Sequence, residues 1–312
     1  MTQTLTNRPA WIDTLTVPVV AAPMFLVSGP DLVIATSRAG AVGTFPAPNC
    51  RTPEELDAWM GTIGDALVDE PWALNLVTHR TNARLEDDLR LVAEHRPPVV
   101  ITALGSPRPV IETVHAYGGL VIADVVTLGL ARKAIAAGVD GLACVSAGAG
   151  GHTGFLSPFA FVSAVRREFD GLVTIGGGIS DGFGVAGAIA AGADLVYMGT
   201  SFLATRESMA VPEYKQMVVD HEVDDLVVSD GITGTAASWL RPSLVANGLD
   251  PDALVGPAER VYDATQSPAK RWKDVWAAGQ GIGAVTAVEP AADVVARLAE
   301  EYRQALERMR TR

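Results

Sequence analysis

The sequence predicts an α/β fold of the (β/α)8 TIM-barrel class, on three observations. Short apolar runs recur eight times with helical patterns between them, as parallel strands joined by crossover helices require. Glycines follow the last two runs, where barrels of this class often bind phosphate. No GxGxxG follows the first run, where an open doubly wound dinucleotide fold, the competing architecture, would place its phosphate turn. Strands that are apolar on both faces need cover on both, and a closed barrel inside a helical ring gives it without leaving edges.

The elements follow in order. The first strand is read over 17–22, and its helix runs from Pro30-Asp31 to Gly40. The second, 41–45, precedes a helix that starts at Thr52-Pro53-Glu54-Glu55, a capping box with proline in the first turn. Strands three and four are 72–76 and 99–102, with helices over 85–95 and 110–117. Strand five, 120–123, leads to a helix over 128–137 closed by Gly138. Strand six, 141–145, is followed by a glycine-rich loop and a helix over 158–168. Strand seven is 172–175 with a helix over 182–191, and strand eight is 195–198.

Residues 206–289 are too long for a single connection. They contain a helical stretch at 213–219 and turn signals at Arg241-Pro242, Asn247-Gly248 and Ser267-Pro268. The predicted organisation is a barrel core over 1–205, an inserted lid or small subdomain over 206–289 with a return loop to the site, and a C-terminal helix over 290–312 packed on the barrel. That helix carries Val294, Val295, Leu298, Tyr302 and Leu306 on one face.

Composition narrows the partners. With 48% hydrophobic and 19% charged residues, a large core is expected and disorder is not. A net charge of -12 excludes nucleic acid or an anionic membrane as the main partner and leaves a small molecule. The two cysteines, Cys50 and Cys144, lack metal-ligand spacing and read as core thiols in a reducing cytoplasm. The opening MTQTLTNRPAWIDTLT has no basic segment followed by an apolar run, and the most apolar stretch, 120–126, is short and interrupted by Asp124. A cytoplasmic enzyme is the expectation.

The chemistry is read from the loops at the carboxyl ends of the strands. Gly176-Gly177-Gly178 after strand seven and Gly199-Thr200 after strand eight can turn backbone N–H groups toward one phosphate. Gly148-Ala149-Gly150-Gly151-His152-Thr153-Gly154 follows strand six and sets one imidazole in a flexible-looking glycine frame. Histidine titrates near neutral pH, so His152 is the candidate acid or base. Ala22-Pro23-Met24 end strand one, and Asn75 lies in strand three with an amide able to read the polar edge of a ring. His79 lies near Asn75, whereas His95, His115 and His221 read as structural, and no cluster has metal-ligand spacing.

These motifs resemble the nitronate monooxygenase family, whose barrel is shared with flavin-dependent enoyl-acyl carrier protein reductases and NADH:quinone reductases. The likeness rests on Ala22-Pro23-Met24, Asn75, Ala149 to Gly154, Gly177-Gly178 with Asp181-Gly182, Ala193-Asp194 through Met198-Gly199-Thr200 to Glu207, and Trp276 to Gly283. It implies FMN, with Ala22, Met24 and Asn75 around the ring; Pro23, Asp124, Ala149, Gly150 and Gly151 are further cofactor-binding candidates. It places Gly176, Gly177, Gly178, Gly199 and Thr200 on the phosphate, and has Gln280 and Gly281 close the pocket. It also implies that His152 faces the substrate.

Two positions depart from the pattern: Asp124 stands where many members have lysine at the end of strand five, and Ser201 where they have arginine. Without the family likeness, Asp124 reads equally as a cap for the helix that follows. The expected reaction is oxidation of a nitronate with O2 to a carbonyl compound and nitrite. An enoyl- or acyl-CoA-type, or NAD(P)H:quinone, oxidoreductase on the same barrel is the alternative, and a flavin-free isomerase or phosphate-ligand binder is the third class. A second copy of the chain is the candidate protein partner.

Overall fold

The computed structural model describes residues 9–254 and 269–311. Eight parallel strands among them form the barrel: β1 (Val19–Ala21), β2 (Gly43–Pro46), β3 (Trp72–Val77), β4 (Val99–Ala103), β5 (Leu120–Val125), β6 (Gly141–Val145), β8 (Leu172–Gly176) and β9 (Leu195–Met198). Their order is β1-β9-β8-β6-β5-β4-β3-β2. A parallel bridge between Val20 and Val42 closes the ring, with the Ala21 amide donating to the Val42 carbonyl and the Val42 amide to that of Val19, both at 2.9 Å.

Seven helices follow the first strands in turn: α1 (Pro30–Arg38), α2 (Pro53–Ala66), α3 (Leu85–His95), α4 (Arg108–His115), α5 (Leu128–Ala137), α6 (Pro158–Arg166) and α7 (Gly182–Ala190). After β9 comes only one turn, α8 (Thr200–Leu203); the place of an eighth helix, between α7 and α1, is taken by α12 (Ala291–Arg310). Gly182 permits that packing, because a Cβ there would lie 2.3 Å from the Leu298 carbonyl oxygen, and its amide donates to Glu301 at 2.8 Å.

The main core lies between strands and helices, as the apolar runs require. A second cluster fills the barrel itself with Val20, Val42, Val99, Ile101, Ile122, Leu172 and Leu195. Ile12, from the 3-10 turn Ala10–Thr14, packs against it and plugs one end. No helix among the described residues is long and apolar enough to cross a membrane.

Between β9 and α12 lie α9 (Pro212–Asp220), β10 (Leu226–Ser229), β11 (Ala237–Leu240), α10 (Arg241–Ala246) and α11 (Ala269–Asp274). They carry a core of their own around Trp239, Leu244 and Ala277, joined to the rim through Tyr214, Leu240 and Ile282. Arg241-Pro242, read as a turn, instead starts α10, since proline is accommodated in a first helical turn. Asn247-Gly248 ends that helix, with Gly248 at φ +70°. Ser267-Pro268 lies outside the described residues.

β5 runs two residues further than read, so Asp124 is inside a strand. The cap of α5 is Thr127, whose hydroxyl accepts the Leu130 amide at 3.2 Å, which removes the capping role for Asp124.

Candidate functional site

A cleft of ≈ 1760 Å³ opens over the carboxyl ends of the strands. The carboxyl end is where a barrel gathers its loops, because each strand hands the chain to a variable connection there. Ala22, Pro23, Met24, Asn75, Asp124, Ala149, Gly150, Gly151, His152, Gly176, Gly177, Gly178, Gly199, Thr200 and Gly281 all line it.

Gln280 is the exception. Ala277, Ala278, Gly279 and Gly281 form the cleft wall of the return loop, while the Gln280 side-chain oxygen lies beside Gly148 and Gly178.

Backbone ties three loops together at one acceptor that the sequence reading passed over. The Gly148 carbonyl takes the amides of Gly178 at 3.1 Å and Gln280 at 2.9 Å. Gly178 therefore fastens loops with the N–H that was expected to face a phosphate. Gly148 itself sits at φ +88°, and a Cβ there would meet the Gly178 nitrogen at 3.0 Å. The Gly279 amide donates to the Thr200 hydroxyl at 2.9 Å, which leaves the Thr200 proton free to point elsewhere.

His152 is held by strand pairing. Gly151–His152 forms β7, antiparallel to β11 in the order β10-β11-β7, with His152 opposite Ala237 and Gly151 opposite Ser238. The flexible-looking frame is thus an edge of a small sheet, and glycine composition misled the reading because β11 lies 85 residues away. The Thr153 amide bonds to the Ala236 carbonyl at 3.0 Å and its hydroxyl to the Ser146 carbonyl at 3.1 Å. The imidazole meets the Trp272 ring edge-on at 5.3 Å. Its exposed surface looks into the cleft, and the crowding of protein around it holds its pKa below the usual imidazole value.

Asn75 donates to the Ile101 carbonyl at 3.3 Å, and the loop after β1 is pinned by Asn49, whose amide donates to the Met24 and Ser28 carbonyls at 3.1 and 2.7 Å. Asp124 keeps some surface in the cleft, yet its Oδ1 is sealed and has no hydrogen-bond partner, and the same holds for the Tyr197 hydroxyl nearby. Burial pushes the Asp124 carboxyl up to about 7, with no cation among the described residues to offset it. Tyr197 was legible only as an apolar strand residue.

His79 bonds to the Thr81 hydroxyl at 2.8 Å, and the adjoining cleft wall is made by Thr81 to Arg84. His95 and His115 pair with Asp57 and Asp140 at 2.6 and 2.8 Å. Both cysteines are buried thiols pushed up to about 12 by desolvation. Among the described residues no group of three or more His, Cys, Asp or Glu could hold a metal.

Known proteins resemble this chain in sequence and in fold. The family model for nitronate monooxygenase matches residues 79–301. The (3aS,4S,5R,7aS)-5-hydroxy-7a-methyl-1-oxo-octahydro-1H-indene-4-carboxyl-CoA dehydrogenase of Rhodococcus jostii is 32% identical over 75% of this chain and 65% of its own length, so the match spans just under two thirds of that relative. The nitronate monooxygenase of Neurospora crassa is 29% identical over 98% of this chain and 94% of that protein. The solved nitroalkane oxidase of Streptomyces ansochromogenes superposes with a TM-score of 0.82 at 25% identity, covering 96% of this chain and 100% of that one. All three are named as oxidoreductases: a dehydrogenase, a monooxygenase and an oxidase. Barrel, glycine loops and the match over residues 79–301 agree: the chain belongs to the nitronate monooxygenase family.

Proposed function

We propose that the cleft holds FMN and that the chain oxidises a nitronate at the expense of O2, giving a carbonyl compound and nitrite. The observation that carries this reading is His152, fixed on β7 in the cleft wall among the glycine loops.

The residues fit a flavin mononucleotide. The volume exceeds the roughly 300–1,000 Å³ typical of one ligand site, leaving room for cofactor and substrate together. Gly177, at φ +135°, lets its turn pack against the loop after β6, where a Cβ would come within 2.5 Å of the Ala147 oxygen. The Gly177 amide and the first turn of α8, at Gly199 and Thr200, would hold the phosphate, since unpaired N–H groups of a turn attract anions. Gly176 and Gly178 shape that turn. Asn75, Ala22, Pro23, Met24, Ala149, Gly150 and Gly151 would bound the ring, with Asp124 at its edge. When bound, FMN supplies the two-electron chemistry that no side chain here can.

The chain's own contribution is proton handling and orientation. A lowered pKa keeps His152 neutral at neutral pH, so it can accept a proton from substrate. Trp272 and the β7 pairing fix its direction. Ala277, Ala278, Gly279 and Gly281 close the wall against water.

A second reading, an acyl-CoA or pyridine-nucleotide oxidoreductase, is favoured by Asp124. A carboxyl near its titration point repels an anionic nitronate, whereas its protonated form donates a hydrogen bond to a neutral thioester carbonyl. The Rhodococcus relative is named for a CoA substrate. Anaerobic mixing of the yellow holoenzyme with alkyl nitronates, NADH, NADPH and acyl-CoA compounds separates the readings by which one bleaches the flavin. Release of FAD, or failure to take up FMN, overturns the cofactor assignment.

A further inference from the structure

The cleft carries charge that the reaction above does not use. The chain is acidic, at -12, yet the charged side chains of the cleft include four cations, Arg51, Arg84, Arg108 and Lys133, against Asp88 and Asp124. Arg84 is consumed internally: it pairs with Asp88 at 2.9 Å and donates to the carbonyls of Cys50 and Ala47 at 2.6 and 2.9 Å. Arg51, Arg108 and Lys133 are exposed, and their charged ends have no hydrogen-bond or ion-pair partner among the described residues. An excess of cations lining a cleft in an acidic protein concentrates anions there.

Topology separates Arg108 from the glycines after β8 and β9, while Lys133 follows β5, which is two strands from β8. Arg108 opens α4 after β4, and Lys133 lies on α5 after β5. Around the closed ring β1-β9-β8-β6-β5-β4-β3-β2, β4 stands opposite the β8–β9 pair. Eight tilted strands about 4.8 Å apart make a ring roughly 15 Å across. A phosphate held at Gly177 and Thr200 is therefore on the far side of the barrel from Arg108. The same stretch of cleft wall exposes two leucines, Leu104 at 49% and Leu130 at 43%. Leu104 adopts φ +60°, a conformation that costs a non-glycine residue roughly 1–2 kcal/mol, and with it the loop keeps an apolar side chain exposed at the mouth.

We propose that Arg108 and Lys133, with Leu104 and Leu130, form a docking site for the phosphate-bearing adenylate arm of a co-substrate, separate from the site of the flavin phosphate. Guanidinium and ammonium groups take the phosphates, the guanidinium in bidentate fashion, and the leucines take the adenine or the apolar stem of the arm. A compact nitronate needs no such site. An adenosine diphosphate bearing further phosphate does, and coenzyme A and pyridine nucleotides share that chemistry. The proposal rests on the assignment of the flavin phosphate to the glycine loops.

The test is calorimetric binding of coenzyme A, NADPH and phosphate-free pantetheine, each alone, to FMN-loaded enzyme. We expect coenzyme A or NADPH to bind, the one that does so naming the source of the arm. Arg108→Glu with Lys133→Glu should weaken that ligand roughly tenfold or more, and Arg108→Gln with Lys133→Gln by less. Pantetheine should bind weakly and equally to all, and FMN content should not change. Absence of binding by both nucleotides to the unmodified holoenzyme, or equal binding by the charge-reversed variant, overturns the docking site while leaving the flavin reading intact. Loss of FMN from a folded double variant would instead place the flavin phosphate on these cations and overturn both.

Discussion

The two halves of the rim are built from different materials. On the side of β6, β8 and β9 the working surface is main chain: Gly148, Gly177 and Gly178 all have positive φ, and loops lock through the Gly148 carbonyl. On the side of β4 and β5 it is side chain: exposed Arg108, Lys133, Leu104 and Leu130, none of them in a recognisable motif. A main-chain surface admits almost no substitution, whereas a side-chain surface can change ligand by changing residues. The difference suggests that the glycine half keeps what the family shares and the other half sets what this member binds.

The largest expected effect breaks the glycine half. Gly177→Ala forces a Cβ to within 2.5 Å of a main-chain oxygen at φ +135°, so the variant should be destabilised by about 2 kcal/mol or more and should lose FMN. Denaturant unfolding and the ratio of flavin to protein absorbance measure both. A stable yellow variant would show that this turn is not part of the cofactor grip.

Next is His152→Ala, which should keep FMN but slow substrate-dependent flavin reduction by about 10²-fold, the range for a positioned acid or base. In the unmodified enzyme, activity should be level near neutral pH and fall on the acid side, through a pKa below the usual imidazole value, because the neutral ring is the base. A variant that melts or loses flavin, yet turns over normally per bound flavin, makes the residue structural.

Asp124 sharpens the boundary between the halves. Its folded-state pKa, pushed up to about 7, exceeds the ordinary value of 3.8, so the native state holds a proton that the unfolded chain has already released. Its contribution to stability is full below about pH 4 and lost as pH rises through about 7. Asp124→Asn should flatten that loss in melting curves. Small alkyl nitronates should be poor substrates, and Asp124→Lys should lower their KM several-fold in oxygen-uptake assays. Efficient nitronate turnover by the unmodified enzyme, with the lysine variant neutral or worse, would remove the charge argument.

The smallest effect tests the strap of the return loop. Tyr214 donates to the Ala277 carbonyl at 2.6 Å and accepts the Ala277 amide at 3.1 Å. Tyr214→Phe should cost about 1–3 kcal/mol by leaving two buried backbone groups unpaired, with a modest rise in KM. An unchanged melting temperature would mean that water replaces the hydroxyl.

The same division explains what was legible in the sequence. Strands six and eight and the C-terminal helix were read within two residues, because apolar periodicity and glycine at loop starts are local signals. Fifteen of the sixteen candidate residues, all but Gln280, line one cleft, since glycine loops announce themselves in composition. Trp272, Tyr197 and β7 were not legible. Each acquires its role through a partner brought up by folding: β11 for Gly151–His152, His152 for Trp272, and Asp124 for Tyr197. Asp124 was placed among the cofactor-site candidates, with a helix cap as the even alternative; the strand was read two residues short because nothing local marks the last two residues of a strand.

The position of α12 has a consequence for biosynthesis. Val294, Val295 and Leu298 complete the same core as Val185 of α7, but about a hundred residues separate the end of α7 from the start of α12. At a translation speed of 5–20 residues per second, the ribosome needs roughly 5–20 s to deliver the covering helix after the surface it covers. During that interval the nascent barrel carries an open apolar seam beside α7. Chaperone dependence in the cell should therefore track the rate at which the intervening segment is translated, and not the stability of the finished enzyme.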